Sequence, residues 1–317
     1  MRRQHVSAVG IFLGLVVAFC IAAVGAASST RASPKLVEER SSTYNNIYIY
    51  KDGPQMIMTF GHNKRFYTES IYDTTNELAL PVTYTRFMTV GLAYTSALDN
   101  LLEIGFGGGR TAWYLHKHLP AMEVTAVELD PAVVDLATKY FGVRANERFK
   151  IQVADGRSYM LKSDATWNVI MVDAYRGPFV PFHLLTEEFF QLIKSKLKPD
   201  GVVVQNIEPT TMMFDSALAT IQKVFANVDL YDAGGNIVAV AYGGTRRPQA
   251  ALLARANALQ KEYRFAYPLP TLLKERRVVT RAVPGKVLSD DFAPVESLLA
   301  IEKHNRKLEE ISEPAVK

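Results

Sequence analysis

Residues 100–110, Asn-Leu-Leu-Glu-Ile-Gly-Phe-Gly-Gly-Gly-Arg, constrain the fold of this chain more than any other stretch. A short apolar run, too short for a helix, meets alternating glycines and then helical spacing over 111–118, which is how a buried parallel strand turns into a helix. Glycine permits positive φ in the tight turn and lets a ligand touch the backbone, while the free N–H groups of the helix start face that ligand. The loop is therefore expected to line a nucleotide crevice, with Gly105, Gly107 and Gly109 against the ligand. The bland alternative is a glycine turn with a structural role only.

The downstream sequence favours the crevice. A second apolar strand over 124–127 ends in Glu128, and an acidic residue about 20 positions beyond the glycines is where ribose hydroxyls are bound. Pro131 suits the first turn of a helix over 132–140, with Asp130 as its N-cap. A third strand over 149–153 ends in Ala154-Asp155-Gly156, and a fourth over 167–172 ends in Asp173. Four strands in a row thus end in an acidic residue or a glycine loop. In an open parallel sheet, ligands bind outside the carboxyl ends of the strands.

The rest of the chain supplies a framework for this crevice. Short alternating aromatic and β-branched runs over 44–50, 55–60 and 65–69, separated by Asp-Gly and Gly-x-Asn turns, read as a small β-hairpin domain over 41–79. A helix over 80–94 precedes the first sheet strand. After Asp173 comes an aromatic and proline-rich loop over 174–183, long enough to cover a pocket. A helix over 186–197, a Lys-Pro-Asp-Gly turn, a strand over 202–206, a helix over 214–225 and an antiparallel pair over 228–231 and 236–242 complete a doubly wound, Rossmann-like α/β domain over 80–245. Residues 246–317 read as a helical, loop-rich extension with helices over 248–263 and 295–310.

Residues 8–27 are apolar throughout and follow Arg2, Arg3 and His5. At helical rise they cross the roughly 30 Å hydrocarbon layer, and the small residues at 25–27 equally suit a signal peptidase. Residues 1–40 are therefore expected to be a signal peptide or membrane anchor and a polar tether, placing the domain across or against the membrane. The only cysteine, Cys20, lies in this leader. His116 and His118 diverge on their helix, so no metal site is expected. The net charge of +4 is modest and its basic residues are scattered rather than banded with aromatics, which argues against nucleic acid as a partner. His183 reads as a solvated loop residue, and Tyr48 and Tyr50 as packing residues.

Together these motifs resemble the spermidine synthase family of aminopropyltransferases, built on the class I AdoMet methyltransferase fold. Residues 42–47, Ser-Thr-Tyr-Asn-Asn-Ile, sit where that family has Ser-x-Tyr-Gln-x-Ile, and residues 67–69, Tyr-Thr-Glu, where it has Tyr-His-Glu. The loop over 105–109 takes the place of Gly-Gly-Gly-Asp-Gly, and the run from Gly177 to Phe190 follows the family's Gly-Pro-Ala, Leu-Phe-Thr and Glu-Phe-Tyr segments. The resemblance covers residues 41–245. It implies decarboxylated AdoMet or AdoMet as co-substrate, a small amine as acceptor and Asp173 as the catalytic carboxylate. It further implies donor contacts from Asn45, Glu103, Gly105, Gly107, Gly109, Glu128, Asp155 and Gly156, acceptor contacts from Tyr67 and Tyr175, and a homodimer as an available assembly.

The departures from the family pattern are specific. The glycine-loop aspartate, which the resemblance makes the holder of the donor amine, is Gly108 here, and the second aspartate of the Asp-Ser-Ser-Asp loop is Arg176. Glu103, just before the first glycine, is what methyltransferases carry there. Residues 289–296 resemble the tail of the membrane-fused branch. Aminopropyl transfer is the leading expectation, with an AdoMet-dependent methyltransferase or a non-catalytic nucleoside-binding protein as alternatives.

Overall fold

The computed structural model describes residues 33–62, 65–177 and 179–291. An antiparallel sheet comes first, in the order β1-β2-β3-β4, from β1 (Lys35–Ser41), β2 (Asn46–Asp52), β3 (Gln55–His62) and β4 (Arg65–Asp73). Alternation along β2 buries Ile47 and Ile49, and with Met56, Met58 and Phe60 of β3 they pack on Val133, Leu136 and Phe141. Tyr48 and Tyr50 take the other face, where Tyr48 meets Phe66 edge to face at 5.0 Å. Part of the expected tether is strand: Lys35–Ser41 pairs with β2 along its length. Its side chains are mostly exposed, so pairing rests on backbone hydrogen bonds, and charges fasten it instead, with Glu38 accepting from Lys139 Nζ at 2.7 Å and from the Tyr140 hydroxyl at 2.6 Å.

The second sheet has eight strands. They are β5 (Asn100–Ile104), β6 (Glu123–Glu128), β7 (Phe149–Val153), β8 (Trp167–Val172), β9 (Leu197–Ile207), β10 (Asn227–Asp232), β11 (Ile237–Tyr242) and β12 (Arg277–Val278), in the order β12-β10-β11-β9-β8-β5-β6-β7. Strands β7, β6, β5, β8 and β9 are parallel, and β11, β10 and β12 continue the sheet antiparallel. The helices are α1 (Thr83–Met88), α2 (Arg110–His118), α3 (Pro131–Tyr140), α4 (Gly156–Lys162), α5 (Glu187–Lys196), α6 (Phe214–Val224) and α7 (Gln249–Tyr263).

Every residue of β8 is buried, as a strand covered on both faces must be. Leu101, Val124, Val169 and Met171 point into one core with α2 and α7, while Leu102, Val127, Ile170 and Val172 point into the other with α5 and α6. This is the doubly wound α/β architecture expected. The expected helix over 80–94 is shorter: α1 gives way to a 3-10 turn at Thr89–Tyr94, packed so closely on β9 that a Cβ on Gly91 would lie 2.4 Å from Val204 Cγ2. The Lys-Pro-Asp-Gly turn becomes an irregularity inside β9, where the register against β8 shifts between Trp167 and Val169.

Chain order reverses between β5 and β8, so the carboxyl ends of these two strands open a crevice at the switch point. The antiparallel sheet closes one side of it through α3. There Asn45 Nδ2 and Ser42 Oγ both donate to Asp130 Oδ2, at 3.0 and 2.5 Å, while Asp130 Oδ1 caps α3 through Ala132 N–H. The carboxyl-terminal segment returns to the other side, with Leu288 carbonyl accepting from Glu187 N–H and Arg157 gripping Asp290 through both terminal nitrogens. The apolar leader at 8–27 and the expected helix at 295–310 lie outside the described residues. Among the described residues no helix is long and apolar enough to cross a membrane.

Candidate active site

A cavity of about 350 Å³ occupies the crevice, lined from both sheets. Its floor is the loop after β5. Gly105 takes φ +91°, and a Cβ there would sit 2.2 Å from the carbonyl oxygen of Asp173, so only glycine lets the ends of β5 and β8 approach this closely. Gly105 and Gly107 line the cavity. Gly109 and Gly156 fall outside the lining and instead make room for the Phe106 ring and for Ile104, so their glycines serve packing.

Glu128 stands at the end of β6 with its carboxylate over the loop. Oε2 accepts from Phe106 N–H at 3.0 Å and Gly107 N–H at 3.4 Å, and Oε1 from Asp130 N–H at 3.0 Å. Burial raises its pKa, and these amides oppose the rise. Asn45 also lines the cavity, its amide tied to Asp130. Asp155 caps α4 by accepting from Ser158 N–H at 2.8 Å and meets His183 Nε2 at 2.8 Å. Burial would raise the Asp155 pKa, but the Ser158 and His183 contacts outweigh it and hold it low. His183 keeps the solvent exposure expected of it, and it also lines the cavity and meets Asp155.

Asp173 lies at the end of β8. Its Oδ1 accepts from Asn206 Nδ2 at 2.8 Å, and the Tyr84 hydroxyl is within hydrogen-bonding reach. Burial wins over both, and the carboxyl is pushed up to about 6. Glu103 is only 3% exposed, with one carboxylate oxygen unpartnered among the described residues; burial first, then Asp173, push it well above the usual carboxylate range. Tyr175 lines the cavity, and its phenol is raised by burial and by the charges of Asp173, Glu208 and Glu69.

Two further lining residues were given no role by the sequence: Tyr84, which stands in no motif, and Glu69, which enters only as part of the Tyr-Thr-Glu segment. Tyr84, on the first turn of α1, is half-buried in the lining, and its phenol is raised by burial and by Asp173, Glu69 and Tyr175. Glu69 is pushed well above the carboxylate range by burial, then by Asp173 and Glu128. A bulge explains its position: Met58 pairs with Ser70 and Thr59 with Thr68, leaving Glu69 as the extra residue of β4. Tyr67, two residues earlier, pairs with the lining residue Phe60 but is itself outside the lining. Arg176 is exposed at the cavity mouth and, among the described residues, forms no ion pair with Asp173 or Glu208. His116 lies tilted between the rings of Trp113 and Phe149, and His118 contacts the Tyr263 carbonyl, so both pack within the fold.

The arrangement is a chamber at the switch point of a methyltransferase-like α/β sheet, walled by carboxyls and phenols and suited to a cation. Comparison with known proteins gives the family. The model of the spermine/spermidine synthase domain matches residues 83–233. A polyamine aminopropyltransferase of Neisseria meningitidis is 30% identical over 198 residues, covering 60% of this chain and 74% of that protein. Another, from Vibrio vulnificus, is 26% identical over 274 residues, covering 83% of this chain and 91% of that one. Human methyltransferase-like protein 13, solved in complex with SAH, superposes with a TM-score of 0.54 at 27% identity, covering 57% of this chain and 92% of that one. The chain belongs to the spermine/spermidine synthase family of polyamine aminopropyltransferases and is a transferase.

Proposed function

We propose that this protein transfers an aminopropyl group from decarboxylated AdoMet to a small amine such as putrescine. The reading rests on one observation: Asp173, with a pKa near neutrality, sits beside Tyr84 and Asn206 in a chamber that shares its floor with Glu128. In this reading Glu128 receives the ribose hydroxyls, Asp155 and Asn45 border the nucleoside, and Tyr175 borders the acceptor.

The chemistry is an in-line displacement. The amine nitrogen attacks the propyl carbon bonded to sulfur, that carbon–sulfur bond breaks, and its electron pair neutralises the sulfonium to give methylthioadenosine. The attacking amine, with a free pKa of roughly 10, must present a lone pair. Asp173 accepts the proton released as the carbon–nitrogen bond forms, and a base with a pKa near 6 is ionised at neutral pH yet basic enough to accept. Tyr84 and Asn206 orient its carboxylate, which is where positioning lowers the barrier.

Methyl transfer is the second reading, favoured by Gly108, which leaves the glycine loop without a carboxylate, and by the likeness to the human methyltransferase. Mass spectrometry of the purified chain with each donor and putrescine separates the two. Methylthioadenosine with spermidine supports aminopropyl transfer; S-adenosylhomocysteine with a methylated amine supports the other; neither product points to a non-catalytic nucleoside-binding protein. The apolar leader is proposed to carry the domain across, or hold it against, a membrane. A reporter fused after Arg40 tests this by the side on which it is active; soluble cytosolic material with an intact amino terminus would refute it.

A further inference from the structure

The donor of the proposed reaction carries a primary ammonium at the end of its propyl arm, and an ammonium taken out of water needs a carboxylate beside it. The glycine loop has none. Nor is there room for one at Gly108, where a Cβ would lie 2.7 Å from both Phe141 Cδ1 and Ser70 Cβ. Ser70 fills that space, and its Oγ accepts from Gly108 N–H at 2.8 Å.

The residue before Ser70 is Glu69. Its carbonyl oxygen is 3.9 Å from where a Cβ on Gly107 would stand, so β4 crosses directly over the loop. The bulge brings Glu69, Ser70 and Ile71 all to the cavity, which a regular strand, alternating its faces, would not do. The Glu69 carboxyl senses both Glu128 and Asp173, the residues at the ribose end and the reacting end of the proposed site. It therefore stands along the course that the propyl arm must follow.

We propose that Glu69 is the carboxylate that binds the donor's terminal ammonium and disfavours donors bearing a carboxylate on the same arm. This rests on the aminopropyltransferase reading and deepens it. A charge supplied from β4 takes over the task that a glycine-loop aspartate would otherwise perform. Burial and the neighbouring Asp173 and Glu128 charges raise the Glu69 carboxyl, and an ammonium beside it favours its ionised form.

The test is equilibrium competition on the full chain. Methylthioadenosine, which has no charged arm, is compared with decarboxylated AdoMet and intact AdoMet for wild type, Glu69→Gln and Glu103→Gln. Wild type is expected to prefer the decarboxylated donor. Glu69→Gln should keep methylthioadenosine affinity within about twofold, which also reports correct folding, while decarboxylated AdoMet weakens about ten- to hundredfold. Glu103→Gln should retain the preference.

If Glu69→Gln keeps the preference, or Glu103→Gln removes it, the Glu69 assignment falls while the reaction stands. The assignment also falls if Glu69→Gln leaves both donors unchanged and raises only the acceptor KM. If wild type binds methylthioadenosine but prefers intact AdoMet, the aminopropyltransferase reading itself is overturned, and the assignment with it.

Discussion

Replacing Asp173 with asparagine should cost the enzyme its activity and make the empty protein more stable, and the size of the gain follows from burial. The folded carboxyl holds its proton up to about pH 6, whereas its ordinary value is 3.8. Over that window the unfolded chain binds fewer protons than the native one, so stability falls as pH rises. The penalty is absent below about pH 3.8 and complete above about pH 6. A displacement of about two pK units corresponds to ~3 kcal/mol, an upper bound for the gain of Asp173→Asn near pH 8, and about half of it remains near pH 5. Asparagine keeps the side chain's shape and a carbonyl oxygen to accept from Asn206 Nδ2. Urea denaturation of both proteins at the two pH values measures the gain, and methylthioadenosine release measures activity, expected to drop about 10²- to 10⁴-fold. A mutant that is destabilised, or whose gain is the same at both pH values, would refute the claim that an uncompensated buried carboxylate sits at this position.

Other outcomes follow from the same chamber. Glu128→Gln removes the charge that three backbone amides hold, and calorimetry should show methylthioadenosine binding weakened by ~1–3 kcal/mol; unchanged affinity would place the ribose elsewhere. Tyr84→Phe removes a hydrogen bond that lowers the Asp173 pKa, so the acidic limb of the pH–rate profile should move upward by roughly half a unit or more, with kcat reduced about tenfold. An unmoved limb would mean that Tyr84 acts on something other than Asp173.

The legible part of this site was the part written into single strands. Gly105, Glu128, Asp155 and Asp173 each stand at or just beyond the end of a strand legible in the sequence, so strand and residue were read together, and all four meet at the crevice. Tyr84 reaches the same chamber from a one-turn excursion before β5 and stands in no motif, whereas Glu69 stands in the Tyr-Thr-Glu segment but is turned into the chamber by a bulge that leaves no mark in the sequence. Tyr67, from the same segment, was expected to contact the acceptor and lies outside the lining. Strand β1 was missed for a related reason: its residues are mostly charged and exposed, so an edge strand held by backbone bonds shows no hydrophobic alternation. Gly109 and Gly156, expected as ligand contacts, stand outside the lining, where a Cβ would meet the Phe106 ring and Ile104 respectively.

The amino-terminal sheet supplies Asn45, Glu69 and Ser70 to the chamber while resting its own core on Val133, Leu136 and Phe141, and Ser42 and Asn45 bind the cap of α3 two residues from Glu128. Sheet attachment and ligand occupancy are therefore linked equilibria. A nucleoside that binds only the assembled chamber must tighten the attachment by the same free energy that attachment lends to its binding. A fragment cut at the amino-terminal boundary of the matched domain, Thr83, would lose that reciprocity along with one wall of the site, and would present the apolar flank of α3 to water. Protection of β2 and β3 amides from hydrogen exchange should then rise when methylthioadenosine is added to the whole chain, although neither strand belongs to the domain that defines the family.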